Sequence, residues 1–178
     1  IAVTALGTLE GREPVRRSGA HAGDVVAVAG EVGPAARGLG LLFQRFRDRD
    51  GTPVAVDEGV LDAAERFDLS RQLRPVPPIA AGPAAARAGA TAMMDVSDGL
   101  LLDSWRMAQA SRKCFEIEAG SIPAADPERR DECMRWGDDY QLLFTMSDGN
   151  PLPVSATRIG TVLSGPPGLL LDGDMLTP

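Results

Sequence analysis

The chain has 178 residues, a formal net charge of −7 and a hydrophobic content of 44%, with only 4% aromatic residues. This length suits one domain, or one domain with part of another, and the core must rest on aliphatic side chains and alanine. Nucleic acids and anionic membranes are bound through clustered Lys and Arg, which this acidic composition does not favour. We therefore expect neither nucleic acid nor membrane among its partners.

The cysteines and the hydropathy exclude further classes. Cys114 and Cys133 are too few for a disulfide framework and lack the paired spacing of a zinc site, so we predict two buried, reduced thiols. No run approaches the roughly 20 apolar residues of a spanning helix, and no signal peptide is visible. These features predict a cytoplasmic protein. Because residues 1–6 already have a strand-like pattern and Ile1 is not a methionine, we expect a piece of a longer protein.

The first half of the chain predicts one strand followed by three helices. Residues 25–29 form an apolar run between glycines, which is typical of a fully buried strand. Residues 35–47 and 57–67 predict two helices, and a proline cluster at 75–78 precedes an alanine-rich third helix through Arg87. One face of the first helix carries Leu39, Leu42, Phe43 and Phe46.

The second half interleaves strands with helices. Residues 90–94 predict the end of a strand, residues 100–110 an amphipathic helix, and residues 115–118 another strand. Asp126-Pro127 is the pair expected at the N-cap and first position of a helix.

The remaining strands complete the predicted fold. Residues 141–146 form an apolar strand, and residues 157–163 and 169–171 predict a terminal hairpin. Because strands and helices are interleaved without strict alternation, we predict an α+β fold, in which a mixed β-sheet is packed with helices.

Two carboxylates and a hydroxyl lie where a predicted strand turns into a helix. Asp95 and Ser97 point to the same side of an extended chain, because side chains alternate with period two. Asp98 begins the next helix, whose N-terminal N–H groups favour anionic oxygens. The group predicts a metal and phosphate site, since clustered carboxylates attract a cation. A capping arrangement is the alternative, because Ser and Asp are favoured N-caps.

A second acidic group and a basic group accompany this one. Asp138 and Asp139 follow a glycine immediately before a predicted strand, where a simple turn is the alternative to a binding site. Arg17, in a loop of small residues, could hold a phosphate, and a solvated loop is the alternative. The single histidine, His21, has no Ser or Cys partner nearby, so we do not expect a catalytic base.

Together these segments resemble the C-terminal portion of the thiamine-monophosphate kinase family. That family belongs to an ATP-binding superfamily with aminoimidazole ribonucleotide synthetase and selenophosphate synthetase. Asp95 to Leu100 matches the family's Asp-Ile/Val-Ser-Asp-Gly-Leu motif, and Arg17 to Asp24 matches its Arg-Ser-Gly-Ala segment before a strand. Trp136 to Phe144 matches its Gly-Gly-Glu-Asp-Tyr run, and Leu73-Arg74-Pro75 matches a further turn.

The resemblance implies a fold and a set of roles. The fold would be like the C-terminal domain of aminoimidazole ribonucleotide synthetase. Asp95 and Asp98 would be Mg²⁺ ligands, and Ser97 and Arg17 would bind ATP. Asp138 would contact thiamine monophosphate, although the family has glutamate at this position.

The resemblance also implies a domain organisation. Residues 1–20 would be the end of an N-terminal ATP-binding domain and its connection, and residues 21–178 a C-terminal mixed α/β domain. The rest of the N-terminal domain, with most metal ligands and the contacts of a homodimer, would precede Ile1. An aromatic tail would follow Pro178, so the piece alone is expected to be inactive.

The implied activity is ATP-dependent phosphorylation of thiamine monophosphate to thiamine diphosphate, by direct in-line transfer with Mg²⁺. No strong general base is needed, because the acceptor phosphate is already ionised at neutral pH. Trp136, where the family has glycine, departs from the pattern. The alternatives are another ATP-dependent synthetase of the superfamily, or a non-catalytic regulatory or interaction module that keeps the fold.

Overall fold

A computed structural model describes residues 4, 6–9, 11–153 and 155–177. It contains one mixed β-sheet and five α-helices, which confirms the predicted fold class. The strands are β1 (Asp24–Ala29), β2 (Ala92–Val96), β3 (Cys114–Ile117), β4 (Gln141–Ser147), β5 (Thr157–Leu163), β6 (Gly168–Leu171) and β7 (Asp174–Leu176). The helices are α1 (Pro34–Arg45), α2 (Ala63–Leu73), α3 (Ala81–Arg87), α4 (Leu100–Ser111) and α5 (Arg130–Arg135).

The sheet has the strand order β2-β4-β1-β5-β3-β6-β7. All neighbours are antiparallel except β3 and β6, which run parallel. The predicted hairpin of residues 157–163 and 169–171 is therefore wrong, because β3 lies between β5 and β6 and pairs with both. The terminal hairpin is formed by β6 and β7 instead.

Two apolar clusters cover the two faces of the sheet. All six residues of β1 are buried, since this strand lies inside the sheet and contributes to both clusters. One face packs against α4 and α5 and includes Phe115 and Leu143. The other face packs against α3 and includes Phe144 and Met146. This double cover explains the continuous apolar run of β1.

Local sequence signals set the helix boundaries. Asp62 and Glu65 form a reciprocal capping box that starts α2, so the predicted helix at 57–67 begins later than expected, after a 3₁₀ turn at Glu58–Val60. The Asp126 carboxylate accepts hydrogen bonds from the N–H groups of Glu128 and Arg129, as the predicted N-cap requires.

The packing of α1 differs from the expectation. Its buried side is made of small residues, among them Ala35 and Ala36, whereas Phe43 is 50% exposed. Phe46, just beyond the helix, joins Leu61 and Leu69 in a third small cluster beneath α1 and α2. The apolar face predicted for α1 is therefore only partly a core face.

The cysteines, the N-terminal residues and the hydropathy of the helices were also subjects of prediction. Cys114 and Cys133 are both buried free thiols, as predicted, and burial raises the pKa of each. Of the strand-like pattern at residues 1–6, positions 1–3 and 5 lie outside the described residues. Within the described ranges, no helix is long and apolar enough to cross a bilayer.

Replacing Phe144 by alanine should lower the free energy of unfolding by about 3–5 kcal/mol, because the ring is fully buried and its loss leaves a cavity. Phe43→Ala is the matched control. It should cost less than about 1 kcal/mol, since half of the ring is exposed and it stacks on Arg47. Urea denaturation measures both values. Equal losses would contradict the core assignment.

Candidate functional site

The predicted polar group lies at a corner of the chain where β2 ends and α4 begins. We call residues 95–99 the strand-end corner. Val96 is fully buried, whereas Asp95 and Asp98 are exposed and Ser97 is half-buried. The prediction that Asp98 begins the helix is wrong, because Gly99, with a φ of 109°, is the N-cap. The corner thus presents polar side chains while its one apolar residue anchors it in the core.

The second acidic segment faces this corner directly. We call residues 136–140 the facing turn. The Asp138 N–H donates to the Ser97 carbonyl at 2.9 Å, and the Tyr140 N–H donates to the Val96 carbonyl at 2.8 Å. These bonds continue the antiparallel pairing of β2 with β4 beyond the end of both strands. Asp138 is thereby brought beside Ser97, as the sequence resemblance requires.

Two glycines allow the corner and the turn to approach each other. A Cβ on Gly137 would lie 2.3 Å from the Ser97 carbonyl oxygen, and a Cβ on Gly99 would lie 2.4 Å from the Arg135 carbonyl oxygen. Side chains at either position would overlap with backbone. The contact is therefore made backbone to backbone and admits only glycine on both sides.

The facing turn carries unusual backbone conformations. Asp138 and Tyr140 both have positive φ, of 67° and 51°. Non-glycine residues seldom adopt this left-handed region, and such positions cluster at functional sites. Here they flank Asp139 and set Asp138 and Tyr140 at the contact with the corner.

The Tyr140 phenol has a raised pKa. Burial is the main cause, and the nearby Asp138 carboxylate raises the pKa further by charge and hydrogen bonding. The charges of Asp95 and Asp98 add smaller contributions of the same sign. The hydroxyl therefore stays protonated at neutral pH.

A fourth carboxylate, that of Asp103, binds the backbone of the strand-end corner. The Asp103 side chain is fully buried, and its Oδ2 accepts hydrogen bonds from the N–H groups of Ser97 and Asp98, each at 2.9 Å. Its Oδ1 accepts from the Arg106 guanidinium at 2.9 Å, and Arg106 also pairs with the Asp98 carboxylate. The N–H groups of Ser97 and Asp98, which precede the N-cap Gly99, are thus bound by Asp103 and do not belong to the helix N-terminus at which we predicted anion binding.

Arg17 lies near the start of β2, away from the corner. The Met93 N–H donates to the Arg16 carbonyl at 3.0 Å, and Gly19 lies against the backbone of Thr91. Residues 16–19 therefore run antiparallel to β2 along its open edge. The Arg17 side chain is exposed, and its guanidinium makes no hydrogen bond or ion pair with any residue that the structure describes.

Asp139 has a structural role that sets it apart from Asp138. Its carboxylate is 3% exposed and caps α1, accepting hydrogen bonds from Gly33 N–H at 2.6 Å and Ala35 N–H at 3.2 Å. Burial raises the pKa of Asp139 to about 6, and the two N–H groups only partly oppose this. Asp139 is thus a cap of α1, whereas Asp138 lies at the contact with the strand-end corner.

Two clefts adjoin the contact. One of about 220 Å³ borders Asp95 and Tyr140 and is otherwise walled mainly by apolar residues, among them Pro77, Pro78 and Ile79. The other, of about 180 Å³, borders Asp98 and Arg135 beside Leu101, Leu102 and Leu169. Each cleft therefore joins an apolar wall to one of the corner's carboxylates.

The carboxylates of the strand-end corner could contribute to a metal site. No group of three or more His, Cys, Asp or Glu side chains that could hold a metal occurs among the described residues. Mg²⁺ is commonly bound by one or two carboxylates together with waters and phosphate oxygens. Asp95 and Asp98 are exposed carboxylates and so have the chemistry of such ligands.

The sequence analysis did not identify Asp103 and Arg106 as residues of the site. It also did not predict that Tyr140 is influenced by the site's aspartates. An acidic residue in the first turn of a helix is common, because it interacts favourably with the helix dipole, so the residue type of Asp103 alone was not distinctive. Its distance of five residues from Asp98 places it one turn inside α4, where it can reach back to the corner. That spacing is the signal that could have found it.

Comparisons with known proteins agree with the resemblance. The thiamine-monophosphate kinase of Mycobacterium tuberculosis is 38% identical over 189 residues, covering 99% of this chain and 51% of that protein. The crystal structure of thiamine monophosphate kinase from Aquifex aeolicus is 30% identical, with a TM-score of 0.77, over 92% of this chain and 55% of that chain. A structure described as AaThiL complexed with AMPPCP and TMP is also 30% identical, with a TM-score of 0.74, over 92% and 52% of the two chains.

The chain spans about half the length of the curated relatives it matches. No family model matches the chain. The similarity nevertheless covers nearly all of its residues, so the resemblance based on three motifs is confirmed.

The stability of the fold should depend on pH through Asp139. Its pKa in the folded state, about 6, lies above the ordinary value of 3.8, so protonation favours the folded state. This contribution is present in full below about pH 4 and is lost as the pH rises through 6. Between pH 5 and pH 7 the wild type should lose about 1 kcal/mol relative to Asp139→Asn, which cannot titrate. Urea denaturation across this range measures the difference, and parallel pH profiles would contradict it.

Proposed function

We propose that this chain, which is homologous to about half the length of thiamine-monophosphate kinases, forms part of the active site of such an enzyme. The reaction is transfer of the γ-phosphoryl group of ATP to the phosphate of thiamine monophosphate, giving thiamine diphosphate and ADP. The observation that carries the proposal is the direct contact between the strand-end corner and the facing turn. It sets the family's two acidic motifs side by side.

Asp95 and Asp98 are proposed as Mg²⁺ ligands. Both carboxylates are exposed, and each borders a cleft, so oxygens of a bound nucleotide can approach them. Mg²⁺ bound there would neutralise charge on the transferring phosphates and help align them. Asp98 must exchange its present partner Arg106 for this role, or share its two oxygens between the two cations.

Ser97 and Arg17 are proposed as ATP-binding residues. Ser97 is half-buried directly after β2, and its backbone carbonyl is held by the facing turn. Arg17 carries an exposed guanidinium without a partner among the described side chains, and it lies at the far end of the same strand. An arginine so placed can bind a phosphate bidentately at a distance from the corner.

Asp138 is proposed to contact thiamine monophosphate. Its left-handed backbone and its N–H bond to the Ser97 carbonyl hold Asp138 at the point where the facing turn contacts the strand-end corner. The acceptor oxygen belongs to an ionised phosphate, so positioning and charge compensation carry the reaction rather than proton removal. Trp136, 39% exposed at the end of α5, lies next to this contact and stands where the family has glycine.

The proposal extends to the protein that contains this chain. Residues 1–20 would be the end of the N-terminal domain, and residues 21–178 the C-terminal domain. ATP and thiamine monophosphate would be its ligands, and the protein would be a cytoplasmic homodimer formed through the N-terminal domain. Two carboxylates alone do not complete the coordination of Mg²⁺, so the proposal includes ligands from another part of the protein or from the nucleotide.

A non-catalytic module is the second candidate. The Arg106 guanidinium bridges Asp98 and Asp103, as expected of a corner stabilised without a metal ion. Such a module would keep the contact between corner and turn but bind no nucleotide in a magnesium-dependent way.

In the intact protein, Asp98→Ala should lower kcat by at least about 100-fold, which is the scale of losing one preorganised electrostatic stabiliser. The matched control is Asp148→Ala, because Asp148 is also an exposed carboxylate paired with an arginine, Arg158, in the same chain. The control should leave turnover unchanged. A steady-state assay of thiamine diphosphate formation measures both, and near-normal turnover in Asp98→Ala would rule out Asp98 as a ligand.

Titration calorimetry of the intact protein distinguishes the enzyme from the module. The enzyme should bind AMPPCP only with Mg²⁺ present, and it should bind thiamine monophosphate in addition. A module should show no magnesium-dependent heat with either ligand. Binding of AMPPCP with Mg²⁺ but not of thiamine monophosphate would point instead to another synthetase of the superfamily.

A further inference from the structure

The Asp103 carboxylate is fully buried next to the site, and it accepts both hydrogen bonds that the Ser97 and Asp98 amides donate towards α4. The corner's two N–H groups converge on one of its oxygens, and Arg106 binds the other. Arg106 continues from there to the Asp98 carboxylate. One side chain thus controls the backbone of Ser97 and Asp98, and through Arg106 it also controls the direction of the Asp98 carboxylate.

This arrangement differs from an ordinary helix cap. A capping carboxylate belongs to the residue before the helix and accepts N–H groups from the first turn. Asp103 lies inside α4 and reaches backwards past the N-cap Gly99 to the two residues before it. The bonds therefore fix the residues proposed to bind the nucleotide and metal rather than the start of the helix itself.

We infer that Asp103 is a positioning residue for phosphoryl transfer, which holds the Ser97 hydroxyl and the Asp98 carboxylate in the relative geometry that Mg²⁺ and ATP require. The inference rests on the proposed function. Asp103 touches neither substrate nor metal in this account and acts through the two residues it holds.

The charge of Asp103 has a second consequence. In many phosphate sites, free backbone N–H groups at a helix N-terminus bind the anion directly. Here Asp103 binds the two N–H groups that precede the N-cap and places a further negative charge at the corner. The added negative charge favours a cation over a bare phosphate at the corner, and we expect nucleotide to bind there together with Mg²⁺.

The test uses Asp103→Asn in the intact protein, with three readouts: hydrogen exchange at the Ser97 and Asp98 amides, the Mg²⁺ concentration that half-saturates AMPPCP binding, and kcat against KM. Hydrogen bonds to a charged acceptor contribute enough that their loss should speed exchange at both amides by about tenfold or more. The Mg²⁺ requirement should rise by a similar factor. The kcat should fall while the KM for thiamine monophosphate stays within about twofold.

Two further variants separate positioning from general stability. Asp68→Asn is the matched control, because Asp68 is a buried carboxylate paired with Arg37 at 2.7 Å, in the packing of α2 against α1. It should destabilise the fold without changing the exchange at Ser97 and Asp98 or the Mg²⁺ requirement. Arg106→Gln should leave the two amides protected, since their bonds to Asp103 remain.

The outcomes are distinguishable. If Asp103→Asn leaves amide exchange and the Mg²⁺ requirement unchanged, or if Asp68→Asn alters both equally, the positioning role is overturned. If the wild type binds no AMPPCP in the presence of Mg²⁺, the proposed function fails and this role fails with it. Faster exchange at the two amides with an unchanged Mg²⁺ requirement would also overturn the inference, because Asp103 would then hold the backbone without any effect on the site.

Discussion

The contact between the strand-end corner and the facing turn is the constraint on which the rest of the site depends. Gly99 and Gly137 let the two backbones meet where any side chain would overlap, and two hydrogen bonds extend the β2 and β4 pairing through the contact. The sheet therefore fixes Asp138 relative to Ser97 more firmly than two independent loops could. Because β2 and β4 are neighbours in the sheet although about 45 residues separate their sequences, the site exists only when the sheet has formed.

The site is rich in negatively charged side chains. The charges of Asp95, Asp98 and Asp138 all raise the pKa of Tyr140, and a fourth carboxylate, Asp103, is fully buried against the backbone of Ser97 and Asp98. Arg106 is the only described cation that pairs with any of these four carboxylates. A region of this kind cannot bring two phosphorylated substrates together without added positive charge. Its chemistry is thus consistent with phosphate transfer assisted by a divalent cation, and the exposed Arg17 provides a second, separate positive charge along the same strand.

Much of the fold could be predicted from the sequence, because its signals are local. The apolar run of β1, the periodicity of α4 and the Asp126-Pro127 helix start each lie within one element, and each agrees with the structure. The terminal hairpin was wrong because strand order depends on a long-range competition. Residues 157–163 pair with β3, which the sequence places more than 40 residues earlier.

The site shows the same division between local and long-range information. The motif residues Asp95, Ser97, Asp98 and Asp138 could be named from their resemblance to a family, and the structure brings their segments together. The state of the N–H groups at the corner could not be predicted, since it depends on how far the Asp103 side chain reaches backwards. Likewise, the different roles of Asp138 and Asp139 follow from their packing against opposite partners, the corner and α1.

In the proposed function, the strand-end corner and the facing turn together form one wall of a metal and nucleotide site. Paramagnetic broadening by Mn²⁺ with AMPPCP can locate that site, with Mn²⁺ in place of Mg²⁺ and amide resonances of the intact protein as the readout. We expect strong broadening at residues 95–98 and 138–140, and little at the exposed pair of Asp148 and Arg158. Broadening confined to other acidic surfaces, with the corner and the turn unaffected, would contradict it.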